Sequence, residues 1–486
     1  MRDAFSKILK HSSIYGIGNF ATKGITILLI PLYTSHLTPS DYGVLQICNI
    51  FHSLLTIMLM MGMSSSFFRV YYNVTNKEDR KLIFNSTILT YLIIAGSLIL
   101  FLLFLAEPLS KILISKEGNT YLFQIVVLAA FMEGFYNLQL AYLRAEEKPL
   151  LYSMSIFVRV LFYLSLNILF VASLKRNFVG IREVNLISII LISLMVIPFT
   201  LKNFKFQFSI TYIKEILHIG IPLGIGGIAF WIFSLTDRYM LKFLLPEHLA
   251  MAQVGIYSLG AKIAMIIRFV VVGPFMISWG VLMFAYQNDP RAKEIYASVF
   301  KYFVFIAGIV FLLISLFSKE LIILLSRNES YHIAYEVVPM LSLSVVLLGI
   351  YQVFSVGVTL TKKTKYVIYS NYTAAFTNIG LNFVLIPKYG MFGAAFASVI
   401  ACTINVIIIY YFAQKVYHIN YKVLKVILYL IIFCTIILFT NYYDINTLSK
   451  VIISVIVILI APSLGLVHYS QIFSGLKMIK RKNRKK

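Results

Sequence analysis

The sequence predicts an all-α integral membrane protein of about fourteen transmembrane helices, with both termini in the cytoplasm. Of its 486 residues, 60% are hydrophobic and only 13% are charged, whereas a typical soluble domain has about 25% charged residues. The mean hydropathy is +0.86. The apolar residues form blocks of about 20 residues, the length at which a helix spans the hydrocarbon core. These blocks lack the alternation that is typical of a transmembrane β-barrel.

The apolar blocks predict the spans in order. Their approximate bounds are 14–34, 44–63, 83–105, 121–142, 150–172, 184–201, 219–236, 254–284, 297–317, 336–359, 366–386, 391–412, 424–440 and 449–468. With the N-terminus inside, every segment that this topology places inside holds at least two Lys or Arg, as the positive-inside rule requires. The net charge of +24 and the basic end "KMIKRKNRKK" therefore indicate a lipid surface, and we expect no nucleic-acid partner.

The two halves of the chain resemble each other in order. Gly43 matches Gly255, and Asn167 matches Asn382, at nearly constant offsets. Spans one to six then correspond to spans seven to twelve in the same orientation, which is the plan of a transporter with two lobes around a central site. The predicted parts are an N-terminal lobe (1–205), a C-terminal lobe (206–415), two extra spans (416–470) and a basic cytoplasmic tail (471–486).

Charged side chains occur inside the predicted spans, where each costs about 2.5–3.5 kcal/mol on insertion scales. The predicted spans contain one acid at mid-depth, Glu133, and a larger number of bases, namely Lys23, Arg159, Lys262 and Arg268. Such an excess indicates a water-filled cavity that binds an anion. Structural pairing, or snorkelling of a base to the membrane surface, is the alternative.

Polar residues accompany these charges at helical spacing. Asn19 shares a stripe with Lys23 in span one, and Asn49 belongs to a polar stripe in span two. Hydrogen bonding between helices also uses such residues. Near the outer end of span seven, Asp237 is followed directly by Arg238.

The sequence contains no pattern that indicates catalysis. Walker A, HExxH and Ser–His–Asp patterns do not occur, and the three cysteines have no paired spacing. The prediction is therefore a transporter and not an enzyme, with no catalytic residue, no metal and no cofactor.

Three segments resemble the polysaccharide-export flippases of the multidrug, oligosaccharidyl-lipid and polysaccharide exporter superfamily, and the resemblance covers about residues 10–415. They are "IPLYTSHLTPSDYGVLQICN", "SLTDRYMLKFLLPEHLAMAQVGIYSLGAKIA" and "GLNFVLIPKYGMFGAAFASVIA". The resemblance implies a flippase in the bacterial inner membrane. Such a protein moves an oligosaccharide repeat unit on undecaprenyl pyrophosphate to the outer leaflet by alternating access, for a surface polysaccharide such as O antigen or capsule.

By position, Lys23, Lys262 and Arg268 resemble the basic cavity residues of this family. Together with the charge argument, this predicts that they and Arg159 bind the pyrophosphate. We expect Asn19 and Asn49 to line the same cavity. Glu133, Asp237 and Arg238, the last two matching the family's "DR", are candidates for ion coupling or gating.

The expected partners are the lipid-linked oligosaccharide and membrane lipids, with a polysaccharide polymerase and export machinery as further possibilities, and the expected state is a monomer. Two other functions stay open at this point. A drug or cation antiporter of the same superfamily would prefer an acidic cavity. A membrane glycosyltransferase or polymerase would need a long outer loop, and the predicted outer loops are short.

Overall fold

A computed structural model describes residues 24–113, 119–202, 204–443 and 445–460. Within these ranges the regular secondary structure is helical, without strands. Ten helices are long and apolar enough to cross a membrane, and two shorter apolar helices cover Gly24–His36 and Thr447–Ile460. The prediction of an all-α, multi-pass membrane protein is confirmed. The count of fourteen spans and the side of the termini stay predictions, and the basic tail lies outside the described residues.

The chain divides into two compact units, of which the first ends at Gly255 and also contains Ser326–Asn328, while the second begins at Ile256. The helices of the first unit are α1 (Ile30–His36), α2 (Pro39–Met60), α3 (Met63–Asn73), α4 (Lys77–Phe104), α5 (Ala106–Leu113), α6 (Thr120–Ala145), α7 (Pro149–Asn167), α8 (Asn177–Thr200) and α9 (Ile210–Leu244). A π-helical turn, Ile168–Ser173, extends α7.

Helix α10 (Glu247–Ile267) begins in the first unit and ends in the second, where the π-helical turn Arg268–Val272 follows it. The later helices are α11 (Gly273–Ala285), α12 (Ala292–Leu316), α13 (Ser318–Leu325), α14 (Val338–Phe354), α15 (Val356–Leu360), α16 (Lys365–Val416), α17 (Val423–Tyr442) and α18 (Thr447–Ile460). The repeat-based division into lobes 1–205 and 206–415 stays a prediction.

Helix α6 lies in the core of the first unit, where it packs against α2, α3, α4, α5, α7 and α8. Leu122, Phe123, Val126 and Ala130 on this helix are fully buried. Their spacing of one, three and four residues places them on one stripe, as expected for a helix that faces a core. Glu133 follows Ala130 by three positions, so the packing of α6 holds this carboxylate beside the core.

The 52-residue helix α16 is a hairpin of two spans. As a straight helix it would be about 78 Å long, far more than the hydrocarbon core of about 30 Å. It reverses at Gly390, whose φ of 56° and ψ of −131° are accessible to glycine and strained for other residues. The arms run antiparallel, because Ser370 Oγ donates to the Asn405 carbonyl oxygen at 2.9 Å and the Tyr366 and Phe412 rings stack at 4.3 Å.

Two glycines that the sequence comparison matched, Gly43 and Gly255, lie where α2 and α10 cross. A Cβ atom at Gly43 would lie 1.9 Å from the Met251 carbonyl oxygen, and one at Gly255 would lie 2.1 Å from the Pro39 carbonyl oxygen. The helices therefore meet backbone against backbone, and any side chain at either position would force them apart.

Two matched asparagines also have similar surroundings. Asn167 and Asn382 are both fully buried. Each donates from Nδ2 to an acceptor four residues earlier, which is the Tyr163 carbonyl oxygen at 2.7 Å in one case and Asn378 Oδ1 at 3.0 Å in the other. This similarity supports the internal repeat.

We expect Gly390→Ala to lower the free energy of unfolding by about 1–3 kcal/mol, because alanine is strained at this φ and ψ. Thermal unfolding of the purified protein in detergent measures the change. Gly380→Ala is the control: it lies in the same helix, and a Cβ there meets no atom within 4 Å. Equal unfolding temperatures for the two variants would contradict a strained turn at Gly390.

Candidate functional site

The predicted basic residues lie in different parts of the chain. Lys23 and Asn19 are outside the described residues. Lys262 is half-buried on α10, and Arg268 is exposed at the first residue of the following π-helical turn. Both belong to the second unit. Their role in binding pyrophosphate stays a prediction.

Of the residues predicted for coupling or gating, Asp237 is buried and Arg238 is half-buried, both on α9. Glu133 on α6 is paired with Arg159 on α7. Arg159 Nη1 donates to Glu133 Oε1 at 2.8 Å, and Nη2 donates to Oε2. Each side chain is 18% exposed. The pair is bidentate, the strongest geometry for a guanidinium and a carboxylate, and it leaves no net charge.

The connection between the two helices explains this pairing. Helix α6 ends at Ala145 and α7 begins at Pro149, so the helices are antiparallel neighbours. Glu133 lies about 18 Å before the end of α6, and Arg159 about 15 Å after the start of α7, at 1.5 Å per residue. The two side chains are therefore at nearly the same depth. The Arg159 guanidinium also lies over the Tyr136 ring, 5.5 Å from its centroid.

A second arginine, Arg182 on α8, binds the predicted site residue Asn49. Its Nη1 donates to Asn49 Oδ1 at 2.7 Å and its Nη2 to His52 Nδ1 at 3.0 Å, both on α2. Arg182 is 3% exposed, and its Nε has no hydrogen-bond partner among the described residues. Because a guanidinium only donates, His52 Nδ1 must be unprotonated, so this imidazole is neutral.

Arg182 and His52 were not predicted as site residues. The sixth span was expected to start at residue 184, which left Arg182 in a connecting segment, whereas α8 begins at Asn177. His52 is three residues after Asn49, on the polar side of span two, and this spacing was the signal that could have identified it. The adjacent acid Glu183 does not neutralise Arg182, because it accepts from Tyr121 and pairs with Arg176.

A further polar contact ties α1 to α7. The Tyr33 hydroxyl donates to Asn167 Oδ1 at 2.8 Å and lies 3.2 Å from the Tyr163 hydroxyl. Within the described residues, no three His, Cys, Asp or Glu side chains are grouped so that they could hold a metal ion. The polar groups of these helices thus bond across the packed faces of the first unit.

We expect Glu133→Gln or Arg159→Gln alone to lower the free energy of unfolding by about 3 kcal/mol, near the lower end for buried pairs, since each leaves an unpaired charge. The free energy of unfolding of the double variant should fall by clearly less than the sum of the decreases in the two single variants. Thermal unfolding of the four proteins forms the double-mutant cycle. Additive losses would mean that the pair does not stabilise the fold.

Sequence comparison identifies relatives of this chain. A family model described as polysaccharide biosynthesis protein matches residues 8–279, more than half of the sequence. A protein of the Lsg locus of Haemophilus influenzae is 25% identical over 270 residues, which are 54% of this chain. The match covers 62% of that relative, so the chain spans less than two thirds of its length.

Solved structures share the fold. The lipid II flippase MurJ, in an inward closed conformation, aligns over 93% of this chain and 98% of its own, with a TM-score of 0.73 and 17% identity. An inward-facing multidrug resistance transporter of the MATE family aligns over 83% and 94% of the two chains, with a TM-score of 0.63 and 16% identity. For a Pyrococcus furiosus transporter of the same MOP superfamily, the TM-score is 0.57 and the identity 17%, over 83% and 95% of the chains.

The fold is thus one used by membrane transporters, as the sequence predicted. The family match extends over more than half of the chain, and the structural alignment with the flippase over nearly all of it. The chain belongs to the polysaccharide biosynthesis protein family.

Proposed function

We propose that this protein moves an oligosaccharide repeat unit, linked to undecaprenyl pyrophosphate, from the cytoplasmic to the outer leaflet of the bacterial inner membrane. The product would enter the synthesis of a surface polysaccharide. Membership of the polysaccharide biosynthesis protein family supports the class of substrate, and the fold shared with a lipid II flippase supports the type of movement.

The observation that carries the proposal is the charge of the polar cluster formed by α2, α6, α7 and α8. Glu133 pairs with Arg159, while among the described residues the Arg182 guanidinium hydrogen-bonds to the neutral side chains of Asn49 and His52. Two arginines and one glutamate therefore leave this cluster with one excess positive charge. The cluster therefore favours an anion. A drug or cation antiporter would need the opposite sign, so this cluster supports an anionic substrate over a cationic drug.

In the proposed cycle, the predicted basic residues Lys23, Arg159, Lys262 and Arg268 hold the pyrophosphate, and Arg159 also pairs with Glu133. The lipid tail stays in the bilayer while the two lobes rock and expose the glycan on the other side. No bond is made or broken. Glu133, Asp237 and Arg238 remain candidates for coupling the movement to an ion.

The test is deletion of the gene in its native host, followed by complementation with wild type or Lys23→Gln. Surface polysaccharide and lipid-linked oligosaccharide retained on the cytoplasmic leaflet are measured together. We expect deletion to abolish the surface polymer and to accumulate the lipid-linked intermediate, and wild type to reverse both effects. Lys23→Gln should restore less than about a tenth of the wild-type amount of polymer, as expected for the loss of a charge-assisted contact.

Lys111→Gln is the matched control, because Lys111 is half-exposed on the short helix α5 and pairs only with the exposed Glu107. Equal expression of both variants is confirmed by immunoblot. Normal polymer without accumulated intermediate in the deletion strain would refute the flippase proposal. New sensitivity to cationic drugs in that strain would instead favour the antiporter.

A further inference from the structure

Arg182 is a buried cation that no described carboxylate neutralises. It is 3% exposed, and its acceptors, Asn49 and His52, are both uncharged. Its Nε is buried and has no hydrogen-bond partner in the part of the chain that the structure describes. An arginine does not lose its proton in a protein, so a full positive charge remains inside the helix bundle with an unused donor.

The guanidinium fixes the orientation of Asn49. Because Arg182 offers only donors, the Asn49 amide must turn its oxygen towards the guanidinium and its amino group away from it. Asn49 is half-buried, and its amino group makes no hydrogen bond to the described residues. Asn49 thus presents two amide N–H groups that no described residue accepts from.

A purely structural contact would be built differently. In a membrane interior an uncompensated charge is unfavourable, and a buried guanidinium is usually paired with a carboxylate. A single change, Asn49→Asp, would supply that carboxylate at the atom that already accepts from Arg182. The chain has instead a neutral amide there. The positive charge of Arg182 is therefore not cancelled, and the Asn49 amino group next to it can donate to an anion.

We propose that Arg182 and Asn49 form an oxyanion site for the substrate, in which Asn49 donates to a negatively charged oxygen and Arg182 positions Asn49 and supplies the charge. This inference rests on the proposed flippase function and adds a specificity determinant to it. Because Asn49 offers N–H donors to the ligand and Arg182 adds a positive charge, the site favours oxyanions, which only accept hydrogen bonds. Such an oxyanion is a phosphate of the diphosphate or a carboxylate of an acidic sugar in the glycan.

Helix α2 carries a natural reporter of this site. Trp231 Nε1 donates to Ser53 Oγ at 2.8 Å and to the Ile50 carbonyl oxygen at 3.2 Å. Ser53 directly follows His52, and Ile50 directly follows Asn49. The chain has two tryptophans. In a Trp279→Phe background, tryptophan fluorescence therefore comes from Trp231 alone and follows changes at α2.

The experiment uses this full-length background protein in lipid nanodiscs and compares it with the Asn49→Asp variant. Binding is titrated with undecaprenyl diphosphate, with glucuronate, and with uncharged undecaprenol, and thermal unfolding is measured in parallel. We expect Asn49→Asp to unfold at the same or a higher temperature, since it forms an ion pair with Arg182. We expect its Kd for the oxyanion to rise about tenfold or more, as for a lost charge-assisted hydrogen bond.

Asn73→Asp is the matched control, because Asn73 is exposed at the end of α3 and should bind as the background protein does. An increased Kd for undecaprenyl diphosphate would place the head group at the site, and an increased Kd for glucuronate alone would place a glycan carboxylate there. Undecaprenol binding should be unchanged. If Asn49→Asp does not fold, Arg182→Lys, which retains the charge but not the planar fork, should show the weaker binding.

Unchanged Kd values for both oxyanions in a folded Asn49→Asp protein would overturn the site. So would a background protein that binds neither oxyanion. The complementation experiment separates the two proposals: if wild type restores polymer while Asn49→Asp restores it equally well, this site is wrong and the flippase function stands. If deletion leaves the polymer intact, the flippase function itself is wrong.

Discussion

The energy of a charge in an apolar, low-dielectric surrounding governs the polar interior of the first unit. Two described arginines of this interior, the half-buried Arg159 and the buried Arg182, have different kinds of partner. Arg159 has a carboxylate at the same depth on the neighbouring helix, and the bidentate pair with Glu133 removes both charges. Among the described residues, Arg182 hydrogen-bonds to an amide and an imidazole. The first arrangement joins α6 to α7, the second joins α8 to α2, and together they tie four helices of this unit.

The helices can place these side chains because their backbones approach closely. Gly43 and Gly255 allow α2 and α10 to cross without an intervening side chain. Buried hydroxyl and amide groups then bond to nearby carbonyl oxygens, as Ser370 does to Asn405 in the α16 hairpin. In a membrane interior no water replaces such bonds, so internal satisfaction of polar groups is the condition under which these helices are stable.

Family and interior chemistry support the same function from independent directions. The family match identifies a polysaccharide biosynthesis protein, and the fold is common to flippases and drug transporters alike. The fold alone does not separate these two types of cargo. The positive charge that Arg182 gives the cluster around Asn49 supports the proposed anionic cargo over a cationic drug. The choice between an anionic lipid-linked glycan and a cationic drug therefore depends on a few side chains and not on the arrangement of helices.

The sequence alone determined the fold class, since apolar blocks of membrane-spanning length have few other structures open to them. It also determined that spans eleven and twelve are separate, because a polar break with Pro387 and Gly390 interrupts one long apolar region. Only the tertiary structure decided which charges meet. Glu133 and Arg159 are 26 residues apart and Arg182 and Asn49 are 133 apart, and hydropathy carries no information on such pairings. Arg182 was left in a connecting segment because polar residues end an apolar block, whereas packing against α2 and α6 makes the same residues the first turns of a buried helix.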